Sequence, residues 1–456
     1  MTMRMAYFTP LSPQHSGITD HSEELLPHLA PYAEIDIIVS GTYTPTNKNV
    51  TDRFRVLPHQ EYLRDPSAYD ATVYQIGNNL RYHAYMVPCM RAAPGIIVLQ
   101  DYSLQYLVLG LTLRQGELEM LNDALQPVYG ERSRALVRKL LFGLEDPAAL
   151  TFAHPFLAAS RGIIVHSEHA LKLVQQQVPA KLVSNVTMGI VMPSFDQSVA
   201  QLRQKHGYRE DDFIIASVST RAPKKRLEVV LEAVQQIRTR IPRLKFLIVG
   251  GGSPGDKIHR LIRDYGLQDI VEQTGWVDAE RYQDLIHLAD VGVDLRDMAA
   301  AETAHSALRC IASGVPVIVS ACGTFLELPD GCCPKLVPDE NQATALAELL
   351  VQYAEQPQIL AQMKQVAVDY AKDSLSLALQ AREFMEFVTD LVASTPNTGR
   401  VNLLEPRGTR GMPFFAALYR VCRLGYLLRR YGIADSLRRL RITLASRLNP
   451  DRPETM

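Results

Sequence analysis

No C-x-x-C pair and no paired metal-ligand spacing occur among the six cysteines. Cys332 and Cys333 are adjacent, which rarely makes a sound disulfide, so the chain reads as reduced and intracellular. Apolar runs stay well short of the roughly 18 residues a membrane-spanning helix needs. The N-terminus also lacks the apolar stretch of a signal peptide, since Arg4 is followed only by Met5-Ala6-Tyr7-Phe8 before Thr9-Pro10. Neither sign of charge dominates: the net charge of −1 excludes a nucleic-acid footprint spread over the surface. No Asp-x-Asp ends a strand in the second half. Asp294-Leu295-Arg296-Asp297 comes nearest with the wrong spacing, so neither an obligatory divalent metal nor a cofactor is expected.

What is present suffices for two or three domains: 456 residues, 47% hydrophobic and 21% charged. The charge is unevenly placed. From Asn397 onward there are twelve Arg, no Lys and four acids, about +8, which leaves about −9 on the rest.

Continuous apolar runs of strand length alternate with helical stretches. In the first half they are Met5 to Thr9, Glu34 to Val39, Ala71 to Ile76, Gly95 to Leu99, Gly162 to Val165 and Lys181 to Thr187. A helix is expected from near Thr19-Asp20 to Leu29, and a long one around Glu131 to Gly143. After a polar stretch, Pro193 to Arg209, the pattern restarts at Phe213 and runs to Ser320. Such alternation predicts a parallel sheet covered on both faces. The expected fold class is α/β, with two doubly wound Rossmann-like domains facing across a cleft. The domains are read as 1–195 and 210–374, with a closing helix at 375–394 expected to pack back on the N-terminal domain. Residues 395–456 read as an Arg-rich amphipathic helical extension. Its stripes are Leu418, Val421, Leu424, Leu428 and then Leu437, Leu440, Leu444, Leu448.

Ligands in such sheets sit beyond the carboxyl ends of the strands. Three loops of the second half belong to that edge. Ser219-Thr220-Arg221-Ala222-Pro223-Lys224-Lys225-Arg226 places four cations after one strand, which suits a diphosphate, against the alternative of a solvated basic turn. Gly250-Gly251-Gly252-Ser253-Pro254-Gly255 satisfies G-x-G-x-x-G, but no acid ends the next strand, which argues against NAD. A tight turn approached by a ligand is the better reading. Glu302-Thr303-Ala304-His305-Ser306 opens a short apolar helix closed by Gly314. Its free N–H groups and dipole form an anion receptor, while Glu302 is free to grip hydroxyls or simply to cap the helix. In the first half, Ser16-Gly17 precedes a helix, and Gly77 to His83 and Gln100-Asp101 follow strand ends.

These residues resemble glycosyltransferase family 4, the retaining, nucleotide-sugar-dependent enzymes of the GT-B fold. The likeness covers about residues 4 to 394. It rests on Ser16 to Leu26, Tyr74 to Asn79 with His83, Val98 to Asp101, Val165 to Glu168, Pro223 to Arg226, Val249 to Gly252, Thr274 to Val277, Ala289 to Val291 with Leu295-Arg296, and Glu302 to Ser320. The resemblance implies that Lys225, with Arg221, binds the donor diphosphate and that Glu302 holds donor-sugar hydroxyls, making these three the catalytic set. It further implies Trp276 and Val277 against the nucleobase, and Thr303, His305 and Ser306 offering N–H groups to the phosphates. Ser219 and Gly251 join the donor-binding residues, and Gly17 lets the backbone approach the donor. Asp20, Asn79, His83, Gln100 and Asp101 form the acceptor side. Two departures stand out: Arg309 where many members carry a second Glu, and Gln100 where many carry His.

The expected function is transfer of a sugar from a nucleotide-diphosphate sugar to a hydroxyl acceptor, in polysaccharide, glycolipid or glycoconjugate synthesis. A leaving phosphate oxygen would take the acceptor proton, with no protein nucleophile. Lys225→Ala is expected to abolish transfer and leave the fold intact. The rivals are a catalytically lost binding or scaffold protein and a sugar-nucleotide epimerase of the same architecture, with an NAD oxidoreductase a distant third. No nucleic acid is expected as a partner. The tail arginines read either as a solvated or interdomain face or as a peripheral contact with an anionic membrane or partner protein. The chain is placed in the cytoplasm, the membrane option being the inner face.

Overall fold

A computed structural model of the chain describes residues 2–218, 225–251, 257–296, 302, 305–394, 399–406 and 413–427. The described residues form two units. The first is built from 2–187, Glu302 and everything from Leu377 on; the second takes 188–296 and 305–376.

The first unit is built on strands β1 (Met3–Phe8), β2 (Ala33–Val39), β3 (Arg55–Pro58), β4 (Ala71–Ile76), β5 (Ile96–Leu99), β6 (Gly162–Val165) and β7 (Leu182–Asn185). All are parallel, in the order β3-β2-β1-β4-β5-β6-β7. Every residue of β4, β5 and β6 is buried, which is why these strands read as unbroken apolar runs. The strand absent from the sequence reading is β3. It lies at the sheet edge and carries Arg55 and Pro58, a composition that hides an edge strand.

The first helix spans Gly17–Leu29, two residues earlier than its apolar pattern suggests. Ser16 caps it, its hydroxyl accepting from the Thr19 amide at 3.1 Å. The helix Leu377–Ser394 belongs to this unit. His21 Nε2 lies 2.9 Å from Gln380 Oε1, Phe384 packs on Tyr7, and a Cβ on Gly162 would fall 2.8 Å from Leu391. Residues 413–427 are helical and bury Ala416 and Tyr419, whereas Val421 is exposed. Of the expected stripe, Leu418 packs against the core and Val421 does not. The second expected stripe lies outside the described residues.

The second unit is built on β8 (Phe213–Val218), β9 (Leu244–Val249), β10 (Val271–Gly275), β11 (Val291–Asp294), β12 (Val317–Ser320) and β13 (Lys335–Leu336), all parallel, in the order β10-β9-β8-β11-β12-β13. The polar stretch from Pro193 to Arg209 contains a helix, Val199–Lys205, opened by a capping box of Ser198 and Gln201. Its Arg203 is buried and donates to the Leu288 carbonyl and to Asp290 Oδ2 at 2.9 Å. Asp290 Oδ2 also accepts from the Ile214 amide, so this pair pins the helix to the β8 and β11 strands.

Candidate active site

Both sheets reverse their strand order once near the middle. In the first unit the reversal falls between β1 and β4, and in the second between β8 and β11. The chain leaves a sheet on opposite faces at such a point, so a crevice opens beyond the carboxyl ends of the two strands.

At the second unit's reversal, Lys225 follows β8 and Asp294 ends β11. Arg226 adopts a left-handed conformation (φ 45°) to enter the helix Leu227–Ile237, a strain of about 1 kcal/mol set beside Lys225. Lys225 is 9% exposed, Arg296 7% and Asp294 6%. Lys225 Nζ lies 3.5 Å from Asp294 Oδ1 and donates to Ser306 Oγ at 3.4 Å. Arg296 donates to Asp294 through Nε (3.2 Å) and Nη2 (3.1 Å), and through Nη2 to Ser306 Oγ at 3.1 Å. Ser306 in turn donates to Asp294 Oδ2 at 2.5 Å. Burial alone would push the Asp294 carboxyl up. Arg296 and Lys225 outweigh it, aided by the bonds from Arg296 and Ser306, and hold the group well below the usual carboxylate range.

Ser306 lies in the first turn of the helix His305–Ala312, whose amides and dipole face the same crevice edge. Gly314 closes this helix at φ 72°, a conformation that costs glycine little, and β12 follows. His305 opens the helix and Arg309 lies one turn on; both are partly buried.

The glycine run after β9 has a packing explanation. A Cβ on Gly251 would lie 2.3 Å from the Trp276 indole nitrogen, so only glycine lets the ring lie on this turn. Trp276 remains 51% exposed, a flat aromatic platform at the strand edge, and Val277 beside it is partly buried. Arg221, Ser219 and Thr303 lie outside the described residues.

The first unit's edge is polar and carries carboxyl groups beside buried neutral histidines. Gly77 follows β4; a Cβ there would collide with Ile18 (2.3 Å) and His83 Nε2 (2.9 Å). Burial pushes the His83 imidazole down to about 3, a hydrogen bond to the Gln75 backbone only partly opposing it, so His83 is neutral. Gln100 sits in a buried polar chain. Its Nε2 donates to Gln75 Oε1 at 3.1 Å and lies 3.4 Å from His166 Nε2, while Gln75 donates to the Tyr7 hydroxyl at 2.6 Å. His166 Nδ1 faces the Val186 carbonyl at 2.9 Å, which leaves Nε2 as the acceptor. Burial takes His166 down to about 4.

Asp101 Oδ2 accepts from the Asn78 amide at 3.0 Å, and Asp101 forms an isolated antiparallel bridge with Glu302. Asn79 caps the short helix Leu80–His83 through the Arg81 amide, so its side chain has a local role. Gly17 is the first residue of its helix and Asp20 lies exposed in the first turn.

Sequence reasoning missed Asp294 and Arg296 as site residues, having weighed Asp294 only as a failed metal motif. Their signal was present: two opposite charges close an otherwise apolar strand. Asn78 was also missed. Its Oδ1 accepts from the Tyr106 amide at 2.7 Å and its Nδ2 donates to Gln105, tying the β4 loop to the Gln105–Leu111 helix.

Residues 198–370 match the family Glycosyl transferases group 1. The chain is 28% identical over 148 residues to the putative colanic acid biosynthesis glycosyltransferase WcaL of Escherichia coli, covering 31% of this chain and 36% of that protein. It is 30% identical over 166 residues to a GDP-mannose-dependent alpha-(1-6)-phosphatidylinositol monomannoside mannosyltransferase of Mycobacterium tuberculosis, covering 33% of this chain and 42% of the relative. The chain thus spans about two-fifths or less of the length of these relatives. Anabaena Alr3699/HepE, solved with UDP and glucose, superposes with a TM-score of 0.58 at 15% identity, covering 85% of this chain and all of the other. The two parallel-sheet units are the GT-B fold, and residues 198–370 are a glycosyl transferases group 1 domain.

Proposed function

We propose that this chain is a retaining glycosyltransferase of family 4. It moves a sugar from a nucleoside-diphosphate sugar to a hydroxyl acceptor in polysaccharide, glycolipid or glycoconjugate synthesis. The observation that carries this reading is the meeting of Lys225 with the first turn of the His305–Ala312 helix at the β8/β11 reversal. A buried ammonium and a helix start together stabilise the charge that develops on a departing diphosphate. Trp276 gives the nucleobase a platform, and Arg221, Ser219 and Thr303 complete the donor set. Glu302 holds donor-sugar hydroxyls. Asp20, Asn79, His83, Gln100 and Asp101 serve the acceptor. The leaving phosphate oxygen takes the acceptor proton, so no resident metal and no protein nucleophile is required. One relative is GDP-mannose-dependent and one structural neighbour was solved with UDP, so these two nucleotides come first for testing.

Trp276 is the sole tryptophan of the chain, so its emission reports on this site alone. Titration with UDP or GDP is expected to change that emission and to raise the melting temperature. Emission and melting both unmoved by any nucleoside diphosphate would sink the reading. Release of nucleoside diphosphate only in the presence of an acceptor separates transfer from the epimerase and scaffold readings. The product's anomeric configuration, by NMR, tests retention. The Arg-rich tail is assigned to the anionic inner membrane face, where a lipid-linked acceptor would be met.

A further inference from the structure

Asp294 is bonded on both oxygens. Oδ1 faces Lys225 Nζ and Arg296 Nε, and Oδ2 faces Arg296 Nη2 and the Ser306 hydroxyl. One carboxylate therefore fixes three donors from three segments: the loop after β8, the turn after β11 and the start of the His305–Ala312 helix. Arg296 is held from further sides. Its guanidinium lies 5.3 Å from the centre of the Phe325 ring, and its backbone amide donates to Ser320 Oγ at 2.8 Å, where β12 ends. The cluster spans the carboxyl ends of β8, β11 and β12.

Stability alone gives a poor account of such a cluster. Burying charged groups costs several kcal/mol per ion, and apolar side chains of similar volume commonly do as well or better. Ligand binding gives a better one. A cation already fixed by the fold loses little rotamer freedom when an anion arrives, and it stabilises developing charge without reorganising. The guanidinium suits the task because it is planar, permanently charged and carries several donors, of which Nε and Nη2 meet Asp294.

We propose, resting on the nucleotide-sugar reading of this same site, that Arg296 is a second ligand for the donor diphosphate and that Asp294 is the positioning carboxylate that aims Arg296 and Lys225 at it. Neither role follows from the composition of the loops: Arg296 lies past a strand end, away from the basic run at 221–226.

Isothermal titration of the full chain with UDP, UMP, GDP and GMP tests the assignment. Arg296→Met is expected to weaken diphosphate binding about tenfold or more. Monophosphate binding should fall far less, so the preference for diphosphate shrinks. Arg296→Lys should recover part of that preference, having the charge without the fork. Asp294→Asn should act in the same direction, since the cations lose their anchor. Thermal melts identify the folded variants; should Asp294→Asn not fold, the Arg296→Lys and Arg296→Met pair decides. Equal losses for mono- and diphosphates would mark a merely structural role and overturn the proposal. So would unchanged or tighter diphosphate binding in a folded variant. A wild-type chain that binds none of the four nucleotides would remove the donor reading itself. Normal wild-type binding with indifferent variants removes only the roles of Arg296 and Asp294.

Discussion

Replacing Lys225 by methionine removes one of the two described cations on Asp294 and keeps most of the side-chain volume. At 3.5 Å the Lys225–Asp294 attraction is about 5 kcal/mol for an effective dielectric constant of about 20. Desolvation of both groups offsets much of it. Asp294 also keeps Arg296 and Ser306, so the carboxylate is not stranded. The expected net loss is about 1–3 kcal/mol, or a melting temperature lower by about 3–10 °C for a unit of this size. The sequence reading expected removal of Lys225 to leave the fold untouched; its burial says that stability falls as well. Activity should fall further. Removing one preorganised donor from developing oxygen charge costs about 10² to 10³ in turnover. The assay is acceptor-dependent release of nucleoside diphosphate, measured below the variant's melting temperature alongside a thermal melt. A folded variant with wild-type turnover would refute the role of Lys225. An unchanged melting temperature would refute the pairing with Asp294.

Gly251→Ala should push the Trp276 ring off its turn, because the new methyl would fall 2.3 Å from the indole nitrogen. The half-exposed ring can move at small cost to stability, so the expected result is a shifted tryptophan emission and weaker nucleotide binding with a melting point within a few degrees of wild type. Acid should destabilise the first unit through His83 and His166. Both are held below their ordinary value by burial, so their stabilising contribution is whole above about pH 6.5 and falls as protons bind the unfolded chain, by about 2 kcal/mol each at pH 5. Asp294 is shifted in the same direction but from a lower ordinary value: its contribution is present above the ordinary carboxylate value and is lost as pH falls through its lower folded value, so melts near pH 5 should leave the Asp294→Asn difference intact. Chelation with EDTA should leave transfer unchanged, measured by nucleoside diphosphate release. Deleting residues 428–456 should reduce co-sedimentation with vesicles rich in anionic lipid while leaving nucleotide affinity unchanged.

The sheet cores were legible because their strands are buried on both faces. Ala71–Ile76, Gly162–Val165 and Phe213–Val218 fall where unbroken apolar runs predicted them. Edge elements were not legible, since β3 and the two-residue β13 bury too little to leave a pattern. The helix Val199–Lys205 was hidden for a different reason. Its anchor is Arg203, a charged side chain whose burial depends on Asp290, nearly ninety residues later. The candidate site shows the same division. Lys225 and Ser306 announce themselves as a basic loop and a helix start. Asp294 and Arg296 matter because β11 lies beside β8, and strand order is a long-range fact no local spacing records. Gln100, read as a departure, has a contextual role as well: its amide donates to Gln75 and faces the acceptor nitrogen of His166.

The two units differ in the kind of polarity they place at their strand ends, and the difference bears on the chemistry. At the first unit's strand ends, His83 and His166 are neutral, Gln100 is uncharged, and the Asp101 carboxyl accepts from the Asn78 amide. Such groups orient hydroxyls through hydrogen bonds, but they carry no formal positive charge to set against a departing phosphate. At the second unit's reversal the order is inverted: Lys225 and Arg296 are fixed cations on a carboxylate that stays ionised far below neutral pH. Breaking a glycosidic bond to a diphosphate places most of the new negative charge on the leaving oxygens, which is where fixed cations lower the barrier most. Acceptor orientation needs no such cation. On the proposed chemistry, the fixed cations at the second unit's strand ends stabilise the leaving group, which, rather than a side chain, collects the acceptor's proton.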